Sequence, residues 1–293
     1  MNSFFRKVRT YFSLVTFSHT VFAMPFALIG FSLAVSENDH HFSLKLFILI
    51  ILCMVFARNA AMGFNRFADK RFDALNPRTA SRELPSGKID SRSAVIFVII
   101  NVFLFITATW FINSLTLILS PVALIIILGY SLAKRITALC HFILGLGLSL
   151  APIGAYISVT GKFYYLPVIY SFIVLTWVSG FDILYALQDD EFDRTNSLFS
   201  IPSLTGRKKA IYISILVHCV TFLMVLGAGI FSTAGWIYWI GAALFSSLLV
   251  YQHLIVKHDD ISKVNLAFAT TNGIASIVFA AFVILDLFIK YKY

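Results

Sequence analysis

Apolar windows of roughly twenty residues recur about nine times along this chain, and they constrain its fold more than any other feature. They lie near residues 15–35, 43–64, 94–112, 114–132, 138–159, 164–186, 210–231, 235–256 and 266–288. A helix of about twenty apolar residues crosses a hydrocarbon core ~30 Å thick. The expected fold is therefore an all-α integral membrane protein. About nine transmembrane helices would surround a central cavity in a single domain over residues 1–293. Composition agrees: at 59% apolar and 13% charged, with thirty phenylalanines, the chain has too much apolar surface to hide inside a water-soluble globule.

The basic residues orient the bundle. With the amino terminus in the cytoplasm, eighteen fall on the inside: Arg6, Lys7 and Arg9, seven from Arg66 to Arg92, then Lys134, Arg135, Arg194, Arg207, Lys208, Lys209, Lys257 and Lys263. Only Lys45, Lys162, Lys290 and Lys292 fall outside, and Arg58 lies within the second span. The net charge of +9 thus reads as a record of orientation in the cytoplasmic membrane, not as a nucleic-acid footprint. No small-residue cleavage pattern follows the first apolar run, so no removable leader is expected. The outer loops are short and two inner ones are long, about 65–93 and 189–209, which places function at the cytoplasmic face.

Both long segments begin with carboxylates. The chain has fourteen acidic residues, and five of them, Asp69, Asp73, Asp182, Asp189 and Asp193, stand on two short stretches at span boundaries. At 100° per residue, Asn65, Asp69 and Asp73 fall within about 80° of arc, as do Asp182, Tyr185, Asp189 and Asp193. Asp190 and Glu191 point away and are expected on a solvated face. After each motif the chain runs to a proline-serine turn, Pro85-Ser86 and Pro202-Ser203, and then to glycine and base. That parallel suggests an internal duplication with the motifs facing each other across the cavity.

Opposed carboxylates repel a phosphorylated substrate unless a divalent cation lies between them. Oxygen ligands with no nearby His or Cys favour Mg²⁺, which commonly bridges carboxylates to substrate phosphates. Arginines and lysines of the adjoining loops would clamp the remaining oxygens. A diphosphate whose other end lies in lipid is a prenyl diphosphate, and its departure leaves an allylic cation for a nucleophile to capture.

The pattern Asn65-x3-Asp69-x3-Asp73 and Asp182-x2-Tyr185-Ala186-x2-Asp189-x3-Asp193 resembles the two aspartate-rich motifs of the UbiA superfamily of intramembrane prenyltransferases. Tyr130-x3-Lys134-Arg135-x-Thr137, Pro85-Ser86-Gly87 and Ala151-Pro152-x-Gly154-Ala155 extend the resemblance over most of the chain. It implies Mg²⁺-dependent transfer of a polyprenyl chain to an aromatic acid in quinone biosynthesis. Asn65, Asp69 and Asp73 would hold metal and diphosphate from one side, opposed by Asp182, Asp189 and Asp193. Lys134 and Arg135 would clamp the diphosphate, and Tyr130 and Tyr185 would line the site.

Members resembling 4-hydroxybenzoate polyprenyltransferases usually carry an arginine just ahead of a first-helix proline. This chain reads Phe17-Ser18-His19-Thr20-Val21-Phe22-Ala23-Met24-Pro25 instead. His19 and the run from Ala57 to Asn65 look more like the group assigned to the futalosine route to menaquinone, whose proposed acceptor is 1,4-dihydroxy-6-naphthoate. Both acceptors carry a carboxylate. Arg58, seven residues before Asn65, returns to within about 20° of its face but deeper in the membrane. A buried charge costs ~2.5–3.5 kcal/mol on insertion scales, so Arg58 is expected to face the cavity and bind that carboxylate, with His19 as a second contact. Pairing with an aspartate or snorkelling is the plainer account of Arg58.

The remaining histidines have no metal-ligand spacing, and no phosphate loop or Ser/His/Asp arrangement is present. Cys53, Cys140 and Cys219 lie in apolar segments and read as packing residues. A transporter or cation channel is the competing class, since intramembrane Asp and Arg also mark transport pathways. It predicts acidic groups near mid-bilayer, whereas four of the five motif aspartates lie at span ends.

Overall fold

The structure is a computed structural model that describes residues 22–37 and 42–290. Within them the chain forms helices α1 (Met24–Glu37), α2 (Leu44–Leu75), α3 (Ser91–Trp110), α4 (Ser114–Ala133), α5 (Cys140–Thr160) and α6 (Tyr165–Tyr185). Two short helices follow, α7 (Asp190–Thr195) and α8 (Ile201–Thr205), then α9 (Arg207–Phe231), α10 (Trp236–Ile255) and α11 (Asn272–Lys290). Among the described residues eight helices are long and apolar enough to cross a membrane, and α1 is a shorter apolar helix. The expected all-helical membrane fold is thus met, with eight of the expected spans long enough to cross and the first, expected at 15–35, represented among the described residues by the shorter α1.

Polar residues at the expected ends define several boundaries. Ser43, Asp90 and Asn113 cap α2, α3 and α4, each side chain accepting from a backbone N–H of the first turn. Helix α10 has no cap of its own and borrows one. Asp286 on α11 accepts from the Gly235 N–H at 2.9 Å and the Tyr238 N–H at 3.2 Å, joining the last two spans.

Helix α6 is the axis of the bundle. Trp177 at its middle is wholly buried and packs against Phe22, Phe26, Phe181 and Phe245. Its indole N–H donates to Asn272 Oδ1 at 2.9 Å, so the largest core side chain buries no orphaned donor. Small residues let neighbouring helices approach closely, as membrane packing requires. A Cβ on Gly30 of α1 would collide with the Pro152 carbonyl of α5, and one on Gly145 would stand 2.5 Å from Leu175 O of α6. The outer helices turn Ile99, Phe103, Ile118 and Ile125 outward, the arrangement expected where lipid is the solvent.

A cavity of about 320 Å³ lies among α2, α3, α4 and α5. Its wall is aliphatic, with Ile126, Leu148 and Ile157 typical of it, and Arg58 is the one charged side chain on it among the described residues. On α4 the cavity extends from Thr116 to Tyr130. That is fourteen residues, or roughly 21 Å at 1.5 Å per residue, most of the depth of a bilayer core.

Candidate functional site at the mouth of the bundle

The two aspartate motifs meet at the end of the bundle just past Tyr130. Helix α2 runs on to Leu75, which carries Asn65, Asp69 and Asp73 out beyond the apolar span. The second motif is not one continuous helix, as the face from Asp182 to Asp193 presupposed. Helix α6 stops at Tyr185, a 3₁₀ turn covers Ala186–Gln188, and α7 restarts after Asp189 at φ −113°, ψ 7°. The tighter turn changes the chain direction at the membrane edge, and Asp189 reaches Asn76 and Arg78, which directly follow the first motif.

Four of the motif aspartates have a cation of their own. Arg78 grips Asp189 through two guanidinium nitrogens, Nε donating at 3.0 Å, while Asn76 Nδ2 donates to the same carboxylate at 2.9 Å. Arg82 lies 2.7 Å from Asp73, Lys134 2.7 Å from Asp193 and Arg135 3.1 Å from Asp69. Asn65 Nδ2 donates to Asp69 Oδ2 at 3.0 Å. Residues from both halves of the chain therefore interlock, as opposed motifs require.

Burial and pairing push two neighbouring carboxyls in opposite directions. Burial raises Asp189, but the Arg78 guanidinium outweighs it and holds the group below the usual carboxylate range. Asp193 has no exposed surface, and its desolvation exceeds what Lys134 and Ser200 return, leaving its carboxyl above that range.

Tyr185 takes a hydrogen bond from Arg78 Nη1 at 3.0 Å and stacks on Phe268 at 4.1 Å between ring centres. Tyr130 lies deeper, on the cavity wall beside Arg58. One turn of α4 separates it from Lys134, so a single helix face joins cavity to mouth. Arg58 faces the cavity as expected, and its Nε is buried without a hydrogen-bond partner among the described residues. Asp182 sits below the mouth with His141 at 2.7 Å. His19 lies outside the described residues.

One assignment is overturned. Asp190 is not on a solvated face: it is buried and receives two hydrogen bonds from Arg207, at 2.9 and 2.8 Å. Glu191 does project outward. Arg78, Arg82 and Arg207 are not distinguished by sequence reasoning, because basic residues of an inner loop look alike in sequence until folding selects their partners.

The donor set suits a hard divalent cation, being carboxylates and one amide without thiolate. Asp73 Oδ2 is buried and has no hydrogen-bond partner among the described residues, an oxygen left for a further ligand. No three acidic, His or Cys side chains among those residues form a ready-made cage. Mg²⁺ needs none, since it usually takes one or two carboxylates and completes its shell with substrate phosphates and water.

Known proteins match this architecture. The family model described as the UbiA prenyltransferase family matches residues 23–283. A 4-hydroxybenzoate octaprenyltransferase of Tolumonas auensis is 29% identical over 235 residues, covering 80% of this chain and 82% of its own. The protein of that name from Vibrio parahaemolyticus is 31% identical, covering 79% and 81%. Among solved structures, a UbiA homolog from Aeropyrum pernix superposes with a TM-score of 0.83 at 30% identity, over 92% of this chain and 98% of that one. A UbiA homolog from Archaeoglobus fulgidus, bound to GPP and Mg²⁺, shares the fold with a TM-score of 0.69 at 21% identity, over 95% and 99%. An aspartate-lined mouth over an apolar intramembrane cavity is thus carried by a chain that belongs to the UbiA prenyltransferase family, and the protein is a prenyltransferase.

Proposed function

We propose that the protein transfers a polyprenyl chain from polyprenyl diphosphate to a hydroxylated aromatic carboxylic acid, with Mg²⁺, in the synthesis of a respiratory quinone. The observation that carries this is Arg58, a lone charge on the wall of an apolar cavity directly beneath the aspartate mouth. The cavity takes the prenyl tail, the mouth takes the diphosphate, and Arg58 takes the acceptor carboxylate.

Asn65, Asp69, Asp73, Asp189 and Asp193 would hold Mg²⁺, which neutralises the diphosphate and makes it a better leaving group. Arg78, Arg82, Lys134 and Arg135 stand on those carboxylates and are placed to transfer their hydrogen bonds to diphosphate oxygens as the carboxylates turn to metal. The allylic C–O bond breaks with its electron pair leaving on oxygen. An acceptor ring carbon forms the new C–C bond, and the ring then loses its proton. Tyr130 and Tyr185 would line the site where the cation develops. Segments 65–93 and 189–209 cover the site against water, which would otherwise capture that cation. Charge counting gives the orientation, with the mouth opening to the cytoplasm.

Two acceptors fit. Similarity to named 4-hydroxybenzoate octaprenyltransferases supports that acid. The absence of an arginine just ahead of Pro25, together with His19 and the run from Ala57 to Asn65, supports 1,4-dihydroxy-6-naphthoate. Membranes containing the protein are to be incubated with labelled polyprenyl diphosphate, Mg²⁺ and each acceptor in turn. Product with one acid alone identifies the acceptor, and product with neither removes the proposal. Arg58→Ala is expected to raise the acceptor KM; unchanged KM and turnover would take Arg58 out of the site. Asp69→Ala and Asp189→Ala are expected to abolish turnover, and full activity in both would sink the metal assignment.

A further inference from the structure

The deep aspartate of the second motif is held by a residue that neither motif contains. His141 stands in the first turn of α5 with 2% of its side chain exposed. Its Nδ1 lies 2.7 Å from Asp182 Oδ2, and the Ile201 N–H donates to its Nε2 at 3.2 Å. Because Nε2 accepts, the ring proton is on Nδ1, and the imidazole donates to the carboxylate.

The imidazole is held at both ring nitrogens. Ser179 Oγ on α6 shares its one proton between Leu175 O at 2.7 Å and His141 O at 3.2 Å, tying the start of α5 to α6. Gly145, one turn further along α5, lies so close to α6 that a Cβ would stand 2.6 Å from the same Ser179 hydroxyl. The His141 bond is the one hydrogen bond of the Asp182 side chain among the described residues, and that side chain keeps 20% exposure. One carboxylate oxygen is therefore held by the imidazole while the other is left for the site.

The same histidine reaches the turn at the head of α8. Ile201 follows Ser200, whose hydroxyl donates to Asp193 Oδ2 at 2.9 Å. Ser200 also makes a capping box with Ser203, which holds the turn rigid. Two consecutive residues thus reach two motif aspartates, Asp193 directly and Asp182 through the imidazole.

We propose that His141 is a positioning residue for prenyl transfer: it fixes the Asp182 carboxylate in the site and couples it to the Ser200–Ile201 turn. This rests on Asp182 being a site group and is independent of which acid is the acceptor. A supporting residue of this kind acts on turnover, because displacing a reacting or charge-stabilising group by ~1 Å can cost ~10²-fold in rate.

Side-chain geometry separates the two bonds. Asparagine carries an amide nitrogen where His141 has Nδ1, so His141→Asn retains the donor to Asp182 and loses the bond from Ile201. Glutamine carries an oxygen near the Nε2 position, so His141→Gln retains the acceptor for Ile201 and loses the donor to Asp182. Steady-state prenyl transfer is to be measured on the full-length protein in detergent, with saturating Mg²⁺, for wild type, these two variants, His141→Ala, Asp182→Ala and the double alanine variant.

His141→Ala is expected to lower kcat roughly 10- to 100-fold, as loss of an orienting partner does elsewhere. The KM for prenyl diphosphate should change little. Asparagine should restore most of the turnover and glutamine should not, although each loses one buried hydrogen bond and should lower the melting temperature to a similar extent. The double variant should be no slower than Asp182→Ala alone, because coupled residues are not additive. Wild-type kcat in His141→Ala, equal or better recovery with glutamine, or effects that multiply in the double variant would each overturn the proposal. Undiminished turnover in Asp182→Ala would instead remove Asp182 from the site, a separate outcome that leaves the aspartates of the mouth in place.

Discussion

Arg78 joins the two halves of the site through one planar group. Its guanidinium donates to both oxygens of Asp189 and to the Tyr185 hydroxyl, and its carbon lies 5.4 Å from the centre of the Tyr185 ring. A lysine there would keep the charge but lose the fork that meets two oxygens at once. With acceptor saturating, Arg78→Lys is expected to raise the KM for prenyl diphosphate by about 10-fold or more, since hydrogen bonds to charged groups contribute ~1.5–3 kcal/mol. The acceptor KM should stay the same. A donor KM equal to wild type would show that Arg78 serves Asp189 alone. At this scale the carboxylates are legible in the sequence because acids are scarce in a membrane chain and these recur at helical spacing. Their partners are not. Arg78 and Arg82 are two of seven basic residues between Arg66 and Arg92, and only the fold of residues 76–90 selects them. Asp190 departs from its expected face for a related reason: the helix phase that turns it outward ends at the 3₁₀ turn before it.

At the scale of elements, close helix approach decides where the motif-bearing segments stand. Helix α1 crosses α5 at Gly30, where Pro152 leaves a backbone carbonyl facing the neighbour. An added methyl would meet backbone, which cannot swing aside as a side chain tip does. Gly30→Ala is expected to destabilise the protein by about 1–3 kcal/mol, the usual cost of overpacking. Gly129 on α4 has nothing within 4 Å of the place a methyl would take, and Gly129→Ala should be neutral or slightly stabilising through helix propensity. Thermal unfolding in one detergent compares the pair, and equal melting temperatures would remove the close-approach argument. Span positions can be read from the apolar windows because length and hydropathy alone decide membrane crossing. Crossing points cannot, since a glycine at an interface and one facing open space look the same in sequence.

At the scale of the whole molecule, family membership turns aside the transport alternative, and the position of the charges gives the physical reason. Asp69, Asp73, Asp189 and Asp193 form ion pairs with basic residues at one end of the bundle, while the interior cavity is mostly apolar and carries Arg58 as its one charged side chain among the described residues. An ion would find no continuous polar path there, whereas a hydrocarbon chain finds a wall of matching polarity. Cavity depth is beyond the sequence, because it depends on which helix faces fail to fill the space between α2 and α5. Helices α4 and α5 run antiparallel from that mouth, so residues late in α5, such as Gly154 and Ser158, line the end of the cavity far from the diphosphate. Gly154 has open space where a Cβ would stand. A phenyl group there would occupy volume that only a long tail needs. Gly154→Phe is therefore expected to leave turnover with geranyl diphosphate near wild type and to reduce turnover with long polyprenyl diphosphates by about 10-fold or more, the cost of ~1.4 kcal/mol or greater in tail binding. The ratio of the two rates, measured on one preparation, is the readout, because general damage lowers both. A proportionate loss for short and long donors would mean that the tail does not follow this cavity.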